Sequence, residues 1–363
     1  MKSRLLLVTR ALIVLTLTIT FAAAGSSKAV FTTFSAPNAG TGAGLGTIPV
    51  EITTNGTIVG TYIDAKGTFH GFLRSAISNI VSIDAPGAGT ASGQGTIVAS
   101  FLDAGLIIGY LTDSNYVSHG FQVPWRNQRV GKFVTFDAPG AGTGLGQGTV
   151  TYGVDSEGTI YGSFFDSDNV EHGTLRSPEG NFTNFDPVGS TETFGTSPGI
   201  NDAGTVVGGF VDSNGVYNGF LRDADGTITS FTVPNGQSTI VSGINQQGVI
   251  CGFYFDANLA FHSYLRATNG SFTIFDAPNA GGTVAVEIDP TSQLTTGYYI
   301  DANNVNHGFV RSIQGTLVSF DAPGAGTGSG QGTFGYSIST TPAITGPFID
   351  KNGVYHGFIL THE

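Results

Sequence analysis

One block of sequence comes back seven times, and that constrains this chain more than any other feature. A tetrad rich in Phe, followed by a short Asp/Pro segment, starts at Phe31, Ile80, Phe133, Phe182, Ile228, Phe272 and Leu317. Its plainest copies read Phe-Asp-Ala-Pro, at Phe136 to Pro139, Phe275 to Pro278 and Phe320 to Pro323. Two more columns keep step with it. A Gly after an apolar pair recurs at Gly60, Gly109, Gly162, Gly208, Gly252, Gly297 and Gly346. An Asp lies four residues beyond each, at Asp64, Asp113, Asp166, Asp212, Asp256, Asp301 and Asp350. A period of about 46 residues belongs to arrays whose units cannot bury their apolar faces alone.

Within each copy the pattern predicts four short strands. In the fourth they are expected near Phe182–Phe185, 197–200, 205–210 and 217–221. Asn-Asp-Ala-Gly at 201–204 and Asp-Ser-Asn-Gly at 212–215 separate them. Asn, Asp and Gly tolerate the positive φ of tight hairpins. No long stretch has helical periodicity. Seven units of four strands predict an all-β chain, a seven-bladed β-propeller with four antiparallel strands per blade. A β-solenoid, whose rungs are shorter, is the alternative. The chain opens on a tetrad strand and closes on a His-Gly-Phe strand, so residues 31–34 are expected beside 355–360, closing the ring and removing two open edges.

A third recurrent element is His-Gly-Phe, intact at His70, His119, His307 and His356 and altered at His172, Asn218 and His262. It follows a G-[IV]-[ND]-x-x-G segment such as Gly199 to Gly204. This pattern resembles the HAF family of bacterial extracellular repeats, over residues 31–363. The resemblance implies export and a β-repeat architecture. It implies no agreed reaction, ligand or catalytic residue.

Residues 1–24 read as a secretory signal, which leaves 25–363 as a single repeat domain. Lys2, Arg4 and Arg10 precede an uncharged stretch from Ala11 to Phe21, and Ala22 to Ala24 are small enough for cleavage. The stretch is short for a membrane span, although retention as an anchor is an alternative. Its removal takes away three of 14 positive charges and none of 26 negative ones, moving the net charge from −12 to −15. An acidic surface repels phosphate backbones and argues against nucleic acid as a partner. Cys251 is the only cysteine, so an intrachain disulfide is excluded, and no Cys follows the leader to carry a lipid. The expected product is a secreted monomer with no span in the mature chain.

The repeated His suggests metal binding, but one His per unit would be spread around the ring, whereas zinc needs ligands that converge. A structural hydrogen bond is the expected role. The repeated Asp is expected to hold an Asx-turn. The strongest calcium candidate is Asp166, Asp168 and Glu171, though calcium needs six or more oxygens. Gly140 to Gly148 has the look of a phosphate loop but leads into a Thr-rich strand rather than a helix. It is read as a flexible loop, and no nucleotide or other cofactor is expected. Arg74, Arg176, Arg222, Arg266 and Arg311 recur after His-Gly-Phe and are expected to pair with the recurrent Asp.

Departures from the repeat nominate sites. Glu51 and Glu287 replace Ser or Gly in one column, and their copies flank the seventh. If that strand lines the axis, two carboxylates could face one funnel, the arrangement acid–base chemistry requires. The longest spacing holds Pro124, Trp125, Arg126, Arg129 and Lys132, including the only Trp. Trp with Arg on a loop favours binding of sugars or proteins. The leading expectation is therefore a binding or surface-interaction module with a carbohydrate or protein partner. The alternatives are an extracellular hydrolase or lyase acting on polysaccharide or peptide, and a structural envelope component.

Overall fold

The computed structural model describes residues 29–362. The expected leader over 1–24 lies outside them. Among the described residues there is no helix, and hence none long and apolar enough to cross a membrane.

The strands resolve into seven antiparallel sets of four. The first is Gly46–Ile52, Ile58–Ile63, Phe69–Arg74 and Ile80–Ile83, each paired with the next. The fourth is Ser190–Ile200, Val206–Asp212, Tyr217–Arg222 and Ile228–Phe231. Each hydrogen-bonded unit thus starts one strand later than the sequence repeat. The Phe tetrad is the outer strand of the preceding unit, and Phe182–Phe185 pairs with Glu171–Arg176 of the third. The first strand of the fourth unit also starts earlier than expected, at Ser190 rather than 197.

The seventh unit lacks an outer strand of its own. Ala29–Phe34 fills the place, antiparallel to Tyr355–His362, with Phe31 opposite Leu360. Five of the seven junctions are stitched by single parallel bridges such as Phe69 to Gly95 and Gly46 to Tyr355, whereas the fourth unit forms a separate sheet bridged to neither neighbour. Gly95 has φ 125°, and a Cβ there would collide with the Phe69 carbonyl, so the stitch requires Gly. First strands touch in order around the array, and that of the seventh unit touches that of the first. Ser337 Oγ accepts the Ile52 N–H at 3.1 Å across this seam.

Apolar residues are buried on both faces of each unit, which is why they do not alternate strictly. The core is a series of clusters between neighbouring units. One joins Val59 and Leu73 of the first to Val98, Ile107 and Phe121 of the second. Another joins Val207 and Phe231 to Val241 and Tyr264. The recurrent Gly sits on the second strand, opposite a bulge in the first, for example between Pro49 and Glu51. A Cβ at Gly60 or Gly252 would strike the bulge carbonyl of Ile48 or Ile240. The recurrent Gly thus lets the second strand approach the first closely beside the bulge.

Candidate functional site

The recurrent Asp and His act together on one face of the array. Asp64 Oδ1 accepts the N–H of Lys66 and of Thr68, at 2.8 and 2.9 Å, which is the Asx-turn expected of it. Its Oδ2 faces His70 Nε2 at 3.6 Å, and His70 Nδ1 meets Asp84 at 2.7 Å. The same Asp–His–Asp clamp forms at His119, His172, His262 and His307. At the seam Ser35 replaces the second Asp on His356. Burial lowers the pKa of His172 and His262, but their Asp partners outweigh it and hold both above the usual imidazole value. These clamps bind a turn to the end of the outer strand and give both ring nitrogens a polar partner.

The calcium candidate divides the same way. Asp166 belongs to a clamp, while Glu171 turns inward and accepts hydrogen bonds from Ser163 and Tyr152. Asp168 donates its N–H to Asp166 and adds no converging carboxylate. Among the described residues no three such ligands come together. The Gly-rich loops lie on the clamp face and are pinned. Gly142 donates to the Phe165 carbonyl, and Gln147 accepts from Gly144 while donating to Ser167.

The five arginines find aromatic partners in place of the expected carboxylates. Each guanidinium lies 4.5–5.1 Å from a Phe ring of the preceding unit's outer strand: Phe34, Phe136, Phe185, Phe231 and Phe275. A planar cation stacked on a ring contributes about 1 kcal/mol at such sites. No Arg takes part in an ion pair among the described residues.

Glu51 and Glu287 both lie on first strands, and each reaches into the next unit. Glu51 accepts the Phe101 N–H at 3.0 Å, and Glu287 accepts the Ile338 N–H at 3.3 Å. Burial pushes Glu51 up to about 7, against opposing hydrogen bonds from Ser100 and Phe101. Burial also raises Glu287 well above the carboxylate range, and the charge of Glu51 raises it further. Both follow one rule of the inner belt: a side chain in this column accepts the N–H one residue beyond the same column of the next unit. Ser337 does the same for Ile52. The fourth unit also contacts the second, with Ser197 Oγ donating to the Ala99 carbonyl at 3.4 Å.

Trp125 and Arg129 sit on a hairpin formed by Ser118–Arg126 and Arg129–Val130, turned by Asn127 and Gln128 at φ 52° and 59°. Trp125 is half-buried and packs with Val130 and Phe133 on the first inter-unit cluster. Arg126 and Arg129 are exposed.

Two clefts that the sequence did not indicate open on the face opposite the clamps. One, of about 480 Å³, lies between the fourth and fifth units, among Asp223, Thr229, Gln246, Gln247, Arg266 and Thr268. The other, of about 510 Å³, adjoins it through Gln247 and is lined by Thr291, Ser292, Gln293, Ile313 and Gln314. Both are rich in amides and hydroxyls, which donate and accept hydrogen bonds.

No family model matches the chain, and no curated protein matches it. Solved structures do. The BP39L lectin of Burkholderia pseudomallei is similar at TM-score 0.57 and 11% identity, over 93% of this chain and 96% of that one. AofleA of Arthrobotrys oligospora aligns at TM-score 0.46 and 12% identity, over 81% and 90%. The SapL1 lectin, solved in complex with alpha methyl fucoside, aligns at 0.46 and 14%, over 78% and 97%. At such identities the first likeness shows the kind of fold, and the other two carry no argument.

Proposed function

We propose that this protein is an exported carbohydrate-binding module, and that its seven units are the blades of a closed β-propeller. The carrying observation is the pair of adjoining clefts on the face opposite the clamps, walled by side chains that exchange hydrogen bonds with hydroxyl groups. A rigid frame supports them: clamps brace each unit internally, while stacked arginines and inter-unit clusters fix units against their neighbours. The fold is shared with a protein described as a lectin, and the repeat resembles an extracellular family. The exposed Arg126 and Arg129, beside the half-buried Trp125, offer a second contact surface.

A glycan array probed with the purified protein tests this reading, with Trp125→Ala in parallel. Binding to defined saccharides is expected, and silence across the array refutes it. Loss in Trp125→Ala alone would move the site to the hairpin. The raised Glu51 and Glu287 favour a second reading, acid–base hydrolysis or elimination at the axis. That reading requires turnover of a bound polysaccharide, abolished by Glu51→Gln.

A further inference from the structure

The five recurrent arginines share one packing arrangement but differ in their hydrogen bonds. Arg74 donates to Ser78, Arg176 to Gln122, Arg222 to the Asp223 carbonyl and Arg311 to the Ser312 carbonyl. Of the five, Arg266 alone donates none among the described residues; its Nε is buried without a partner, as are those of Arg176, Arg222 and Arg311. Its guanidinium lies 4.8 Å from Phe231, on the wall of the cleft between the fourth and fifth units.

The facing wall departs from the repeat as well. The residue after each recurrent arginine is Ser75, Ser177, Asp223, Ala267 and Ser312, so Asp223 is the only acid in that column. Asp223 is exposed, its carboxylate accepts no hydrogen bond, and it lines the cleft with Arg266 without forming an ion pair. One cleft is therefore lined both by a guanidinium that donates no hydrogen bond and by a carboxylate that accepts none, with Thr229, Gln247 and Thr268 beside them.

We infer that this cleft binds a neutral pyranose through a vicinal diol held between Arg266 and Asp223, an assignment that rests on the carbohydrate-binding reading above. A hydroxyl both donates and accepts, so one hydroxyl of the diol accepts from the guanidinium while the other donates to the carboxylate. A simple anion suits the site less well, because Asp223 repels it. A simple cation is repelled by Arg266. The adjoining cleft, reached past Gln247, has no ionisable side chain and receives the next sugar of a chain.

The test is calorimetric titration of the intact protein with methyl α-mannopyranoside, methyl α-fucopyranoside and glucuronic acid, beside the glycan array. Variants are Asp223→Ala and Arg266→Gln. Asp223 sits on an exposed turn, so its variant should fold, and an unchanged melting temperature checks this. A neutral glycoside should bind, weakened at least about tenfold by Asp223→Ala or Arg266→Gln, the range for a lost charged hydrogen bond. Array binding that survives Asp223→Ala overturns the cleft assignment and spares the carbohydrate reading. Preference for glucuronic acid, or failure of both neutral glycosides while the array is positive, overturns the diol assignment. Silence on the array removes both readings together.

Discussion

Replacing Glu51 by Gln should make the protein more stable above neutral pH. Glu51 is half-buried at the inner belt, and desolvation of its carboxylate raises its pKa from 4.5 to about 7. An acid raised on folding holds its proton more tightly folded than unfolded. Its stability contribution is complete below pH 4.5 and is lost as pH climbs through about 7. The interval corresponds to about 3 kcal/mol, and the partial exposure of Glu51 screens this to about 2 kcal/mol. Gln cannot ionise, yet its side-chain oxygen can accept the Phe101 N–H that Glu51 accepts at 3.0 Å. It also removes the charge that raises Glu287, an effect of the same sign. Urea unfolding of both proteins at pH 4.5 and pH 8, followed by Trp125 fluorescence, reads the difference. The variant's advantage should grow by about 2 kcal/mol between the two pH values. An advantage independent of pH, or a variant less stable at pH 8, would refute the reasoning.

Four further outcomes are expected. Gly252→Ala drives a Cβ into the Ile240 carbonyl and should cost at least about 3 kcal/mol or abolish soluble expression. Gly215→Ala, where φ is 78° and nothing crowds the site, should cost only about 1 kcal/mol by the same denaturation assay. His262→Asn, which copies the Asn218 present in the fourth unit, should fold and flatten the pH dependence of the melting temperature. The clamp's His contribution is present below about 6.5 and lost as pH rises through the raised folded value, while that of Asp256 is present above about 3.8 and lost on acidification. An unchanged pH profile would show that the clamp is electrostatically silent. Phe31→Ala, which removes ring contacts 6.3 and 6.0 Å from Phe320 and Phe358, should cost about 2 kcal/mol in urea and speed unfolding. An unfolding rate equal to wild type would mean the seam is not where unfolding starts.

What the repeat made legible was whatever recurs. Seven copies of a Gly, an Asp and a Phe tetrad were enough to anticipate four strands per unit, the Asx-turns and the pairing of residues 31–34 with 355–360. Features that arise between copies were harder to read. The recurrent Arg stacks on a Phe ring because its neighbour is the preceding unit's outer strand, which spacing along the chain does not reveal. Glu51 and Glu287 stood out in their column, yet their partners are backbone N–H groups of the next unit, and no sequence pattern marks such a donor. Gln147 turns a Gly-rich stretch that looked flexible into a braced loop. The cleft was hidden for the same reason, since Asp223 and Arg266 come from different copies and each looks ordinary in its own.

The borrowed outer strand sets an order on assembly. Ala29–Phe34 lies at the start of the described chain, but the strand it pairs with, Tyr355–His362, comes last. Until then Phe31, which packs on Phe320 and Phe358, has no seat, and the first unit has no neighbour on one side. Closure cost grows slowly with loop length, about 0.6 kcal/mol per doubling, so the delay is a matter of time more than of energy. During that time the unpaired strand is the most exposed sticky edge in the molecule. A chain threaded out of the cell before folding would meet both halves of its clasp in the same compartment, whereas one that stalled halfway would carry an open clasp able to catch another copy.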